Sequence, residues 1–235
     1  MRKFEYAKVI LHKTAVMLQI QDWVRVGYRF YTCGLVSLDR ARAWADKADQ
    51  LYDVYSVRNR RAREKKHGRG CAVLLMHPIA GSSSLWWILL VTPHGHLAYE
   101  LEPLKDALEF RIELTGYELC HLTKPGAAAP VLTWRMTREA YENQRTCIID
   151  TVRRGGTREL RRLIVSLHRS PGFYGIRQQV KACRTLLRAA LHRSRGNQPE
   201  PRLPSRVLCL RRRKVISMPL SKWLSTQQRM QASNI

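Results

Sequence analysis

"LWWILLVTPHGH", residues 85–96, is a solid apolar run that ends in Pro93, His94, Gly95 and His96. The run is far short of the ~20 apolar residues a membrane-spanning helix needs, and its length suits a buried strand. Proline and glycine do not sit in the middle of a central strand, so "TPHGH" reads as the turn into the next element. Outward from it, "CAVLLMHP" (71–78), "HLAYELE" (96–102), "YELCHLT" (117–123) and "VLTWRMT" (131–137) are further short strand-like pieces. Turn chemistry separates them at 78–84, 93–95 and 125–130, and such short connections favour an antiparallel meander. A brief helix is expected at 103–108. The predicted fold class is α+β: one antiparallel sheet over about 71–136, flanked by a long N-terminal helix and basic C-terminal helices, with a basic tail.

The flanks supply the helices. Ser37 reads as an N-cap, and Leu38, Ala41, Ala45, Ala48, Leu51, Tyr52 and Tyr55 recur at three- and four-residue spacing, which predicts one helix over 38–66. Thr137 caps a helix that Gly155 and Gly156 stop; Thr157 caps another, stopped by Ser170, Pro171 and Gly172. A third runs from about 173 to 193 with Ile176, Val180, Cys183, Leu187 and Ala190 or Leu191 as its apolar side. Residues 5–35 are rich in β-branched and aromatic side chains and read as two or three strands, with a helix through 7–18 as the alternative. The expected segments are thus a strand-rich 1–36, an α+β core over 37–195, and a proline-rich linker with a basic tail over 196–235.

Charge narrows the function. The 235 residues carry 42 Lys and Arg against 18 Asp and Glu, a net +24, which calls for a polyanionic partner. DNA or RNA is the expected partner, and no membrane is. The six cysteines are scattered without a CxxC pair, so neither a zinc site nor a disulfide framework is expected, and no cofactor is implied. With no apolar signal segment at 1–20, a cytoplasmic location is expected. The charge is also uneven. Residues 71–120 hold two cations and six acids, a stretch suited to docking a protein, whereas 153–195 hold twelve cations and one acid, Glu159.

On the third basic helix, Arg177, Lys181, Arg184, Arg188 and Arg195 recur at steps of four, three, four and seven. They fall along one face about 27 Å long. Charged faces are usually plain solvated surface, but such faces mix signs, and like charges at i,i+4 cost helix stability. An uncompensated stripe, expected to face solvent, therefore points to phosphates, and the dominance of arginine to forked contacts with them. Arg58, Arg60, Arg61 and Arg63, and Arg211, Arg212, Arg213 and Lys214, are read as further clamps. Tyr28, Phe30 and Tyr31 beside Arg25 and Arg29, or Phe173 and Tyr174 beside Arg177, could stack bases; a core strand with arginines outside explains the first group as well.

Catalysis is a separate matter. His94 and His96 at i,i+2 could share a metal with Glu100, with Tyr141 or Tyr174 as nucleophile, yet the central Gly95 and preceding Pro93 argue for a turn. His12, His67, His94, His96 and His121 could serve a metal-independent ribonuclease, without a spacing that selects them. No catalytic or metal residue is assigned, and the expected activity is non-enzymatic binding; the alternative is an endonuclease acting on RNA or single-stranded DNA.

The words "LLVT", "ELEPLKDA", "LTGYEL", "TWRMT" and "SPGFYGIRQQV" together cover roughly residues 70–182. In combination they resemble an uncharacterised protein family of proteobacterial plasmids and integrative conjugative elements. The resemblance implies a setting, mobile DNA, with a role in replication, transfer or maintenance, and assigns no site residue. Gly116-Tyr117, Trp134 with Met136, and Pro171-Gly172 also have architectural readings: a turn, one strand face, and a break before the basic helix.

Overall fold

The computed structural model describes residues 7–195 and 216–232. In chain order the elements are β1 (Lys8–Ile10), α1 (Lys13–Arg25), β2 (Phe30–Ser37), α2 (Ala41–Tyr52), α3 (Arg58–Lys66), β3 (Ala72–Pro78), β4 (Ser84–Val91), α4 (Ala98–Leu101) and β5 (Lys105–Asp106). There follow β6 (Glu113–Leu114), β7 (Tyr117–Thr123), β8 (Pro130–Met136), α5 (Arg138–Arg154), α6 (Thr157–His168), α7 (Tyr174–Arg195), β9 (Ser217–Pro219) and α8 (Leu220–Ala232). The chain divides into two compact units, Met1–Phe110 with Arg213–Ile235, and Arg111–Arg212. The fold class is α+β.

The first unit is built on a six-stranded sheet of order β5-β2-β4-β3-β1-β9. All of its pairings are antiparallel except that of β1 with β3. Every residue of β3 from Ala72 to His77 is buried, because both faces are covered. Leu74 and Met76 join Leu85, Leu89, Ala41, Ala45, Ala48, Leu220 and Trp223 in one core, against α2 and α8. The alternate residues Val73, Leu75 and His77 point the other way, where α1 buries Ala15, Val16, Met17 and Ile20. A strand buried on both faces loses its polar alternation, which is why "CAVLLMHP" and "LWWILLVTP" read as unbroken apolar runs.

The second unit has a three-stranded antiparallel sheet, β6-β7-β8, with α5, α6 and α7. Trp134 is fully buried on β8, its ring centroid 6.5 Å from that of Phe173. The apolar ridge of α7, Ile176, Val180, Cys183, Leu187 and Leu191, is buried throughout. Each such aliphatic side chain contributes roughly 1.5–3 kcal/mol. Helix α7 approaches the open edge of β8 at Gly175, where a Cβ would lie 2.7 Å from the Trp134 carbonyl oxygen and 2.9 Å from Leu122 Cδ1. One turn later the Gln179 amide takes the place of a further strand. Its Oε1 accepts from the Met136 N–H at 2.6 Å, and its Nε2 donates to the Met136 carbonyl at 3.1 Å. "SPGFYGIRQQV" is thus a docking sequence for a helix on a sheet edge. Buried Glu118 accepts from Arg111 at 2.8 Å and from Arg135 through the same oxygen.

Several expectations need correction. The single sheet over 71–136 is two sheets, one in each unit, and the first recruits β1, β2 and β9 from far along the chain. The helix over 38–66 is broken by Asp53 in the left-handed conformation (φ 49°) into α2 and α3, and the N-cap of α2 is Arg40, not Ser37. "HLAYELE" contains the short helix α4, while 103–108 contains β5. Residues 5–35 hold two strands around α1. Thr137 does cap α5, its Oγ1 accepting from the Ala140 N–H at 3.2 Å; α6 is capped by Gly156, with Thr157 its first residue. Residues 196–215 lie outside the described residues, and the boundary between the two compact units falls at 110–111.

Candidate nucleic-acid interface

In the first unit the candidate site begins with the end of α1. Gly27 (φ 97°) follows the C-cap residue Val26; the Gly27 N–H donates to the Val24 carbonyl at 3.1 Å and the Tyr28 N–H to the Trp23 carbonyl at 3.0 Å. This is a Schellman ending, which carries a contact between the residue after the glycine and the third-last helical residue. Here that contact is Tyr28 edge-on to Trp23, ring centroids 4.8 Å apart. Tyr28 is buried and Trp23 half-buried.

Against this pair lies α3, a helix with no buried residue. Arg58, Arg61 and Lys65 stand at i, i+3 and i+7, on one face with Ala62 between. Arg61 places its guanidinium 5.0 Å from the Trp23 ring centroid, and Lys65 its ammonium 4.1 Å from that of Tyr28 while donating to the Val26 carbonyl at 3.1 Å. Burial lowers the Lys65 pKa, and burial pushes that of Tyr28 up to about 12, with Arg61 pulling the other way. Between α1 and α3 opens a cleft of about 420 Å³, lined by Trp23 and Val26 on one wall and Arg58, Arg61, Ala62 and Lys65 on the other.

The four clamp residues of α3 therefore separate. Arg58 and Arg61 line the cleft. Arg60 pairs with Asp53 at 3.1 Å, and Arg63 is exposed on the opposite face. A second Schellman ending at Gly68 closes α3, and Glu64 binds Arg69 across it, which holds the Glu64 carboxyl below its ordinary pKa. Sequence reasoning missed Trp23 and Lys65. The readable signal was Gly27, which makes "WVRVGY" a helix end and brings its two aromatic residues together.

In the second unit Arg177, Lys181 and Arg188 are exposed on α7, with no acidic partner among the described residues. Arg184 is a correction: it is buried, with 7% exposure. It lies about 20° back from Arg177 towards the Val180–Leu191 side, enough on a helix of about 100° per residue to cross from the solvated face to the packed one. On α6, Arg158, Arg161 and Arg162 are exposed. Arg211, Arg212, Arg213 and Lys214 lie outside the described residues, as does the side chain of Arg195.

Several other candidates become scaffold. Tyr28 and Tyr31 are buried, Phe30 packs edge-on against Tyr99 at 5.3 Å, and Phe173 is core. "RVGYRFY" is not a stacking surface. The acids of 71–120 divide between the units; Asp106 binds Arg29, Glu118 binds two arginines, and Glu102 accepts from the Tyr52 hydroxyl at 2.6 Å. "TPHGH" is a turn, with left-handed φ at His94 and Gly95. His96 Nδ1 accepts from the Ala98 N–H at 3.1 Å and Nε2 donates to the Tyr52 carbonyl at 3.3 Å, so both ring nitrogens serve the backbone. Burial lowers its pKa. Among the described residues no three His, Cys, Asp or Glu are placed to hold a metal ion. His121 belongs to the second unit, and His12, His67, His94 and His96 to the first. No described helix is long and apolar enough to cross a membrane. Comparison with family models, curated proteins and solved structures gave no match.

Proposed function

We propose that the protein binds nucleic acid, holding the phosphate backbone through arginine-rich helices in both of its units. The observation that carries this reading is the helical rows of cations of one sign, exposed Arg58 and Lys65 with half-buried Arg61 on α3, and exposed Arg177, Lys181 and Arg188 on α7. Keeping such rows on one face costs helix stability in the free protein, and phosphates remove that cost. Phosphate contacts fix position on the strand and carry no sequence information. The likeness of residues 70–182 to plasmid and conjugative-element proteins supplies the setting, a mobile element whose DNA or RNA is handled in replication, transfer or maintenance. With the histidines engaged in turns or dispersed, binding is favoured over cleavage.

The test is salt. With six to ten phosphate contacts, affinity for a labelled oligonucleotide should fall by roughly three to five decades between 50 and 200 mM salt. Replacing Arg177, Lys181 and Arg188 together by Ala should lower the slope by about one for each cation that grips a phosphate. An affinity indifferent to salt would overturn the proposal, and cleavage of the probe in EDTA would replace binding with a nuclease activity.

A further inference from the structure

The cleft between α1 and α3 combines features that phosphate binding alone does not need. Its α1 wall carries an apolar patch, half-buried Trp23 and Val26, which is 58% exposed although it is hydrophobic, with Gln19 and Asp22 beside it. Its α3 wall is cationic. At about 420 Å³ the cleft falls within the roughly 300–1,000 Å³ of ligand clefts. A purely apolar ligand would be met by three cations, and a bare phosphate would leave the indole and valine in water. The occupant that satisfies both walls has a flat apolar face and a phosphate beside it.

The geometry points to a nucleotide subsite for single-stranded DNA or RNA, in which one base packs on the Trp23–Arg61 layer and the flanking phosphates lie along Arg58 and Lys65. An indole with a guanidinium over it offers a stacking surface that accepts every base. The cation row spans about 10 Å along α3, longer than one phosphate, so it suits a strand better than a free nucleotide. A duplex fails on the other count, because its bases are stacked and present no face. The one acid on the rim, Asp22, has Arg25 at 3.8 Å. This assignment rests on the nucleic-acid reading above and adds the strand type and the place where a base is held.

The full chain is titrated with labelled oligothymidine, oligouridine and a DNA duplex of equal length. Trp23→Ala should weaken binding of the single strands by roughly fivefold to 150-fold, the range for losing one stacked base, and leave the duplex unchanged. The tighter of the two single strands names the sugar. Because Trp23 also serves the α1 ending, two further measurements guard against a folding defect. Exposed Arg58→Ala should weaken single strands and lower their salt slope by about one. Ultraviolet cross-linking of 5-iodouridine oligonucleotide to the unaltered protein should mark the peptide carrying Trp23. Salt-dependent binding that neither substitution alters, with cross-links elsewhere, overturns the cleft and leaves general binding standing. Equal weakening of single strands and duplex overturns the strand selectivity. No binding of any of the three probes overturns both proposals.

Discussion

At the scale of single residues, Gly27 decides more than any arginine. Its left-handed backbone closes α1 and sets Trp23 against Tyr28. A Cβ there would meet nothing within 4 Å, so Gly27→Ala should cost about 1 kcal/mol through backbone strain alone. The check is a lower denaturant midpoint at an unchanged m-value. Asp106 answers to pH. Bonds from Arg29 hold its carboxyl below the ordinary value, so the folded state favours the ionised form. That stability is complete above the unfolded value near ~3.9 and is lost as pH falls through the folded value. Thermal midpoints should therefore drop below about pH 4, and Asp106→Asn should flatten that part of the curve. The glycine was legible in the sequence and its partner tryptophan was not, since pairing them requires recognising the helix end first. Arg184 was misread for the opposite reason: a spacing of three and four fixes a face only to within tens of degrees, and the edge of this face is already core.

At the scale of elements, the helices with an apolar side were legible. Helix α7 buries the ridge expected of it and α5 starts at its expected cap. Helix α3 was hidden because it has no apolar side and ran on from α2 in charge and propensity; the five residues 53–57, beginning with left-handed Asp53, separate them. An element with nothing buried should open at low free energy. Its amides should exchange with deuterium faster than those of α1, and bound oligonucleotide should slow α3 selectively. The α7–β8 contact should be the opposite. Gln179→Ala leaves the Met136 N–H and carbonyl without their partner and should cost about 1–3 kcal/mol. Gly175→Ala drives a methyl into the Trp134 carbonyl and should cost a similar amount. Both are read from denaturant unfolding.

At the scale of the whole molecule, the charge that composition announced is shared: the first unit has 21 Lys and Arg against 11 Asp and Glu, the second 21 against 7. The sheets were not legible as two because local pattern shows strands, not their partners. Strand β2 pairs with β4 across some fifty residues, and β1 with β9 across more than two hundred. Those pairings give the first unit its discontinuity. Removing 216–235 should strip β9 from β1 and Leu220 and Trp223 from the core, lowering the stability of the first unit, while near-ultraviolet dichroism of the buried Trp134 in the second unit persists. In a growing chain the order of completion follows: residues 111–195 can finish folding while the first sheet still waits for β9. The unit begun first is closed last, by a strand that emerges only after the other unit has been made.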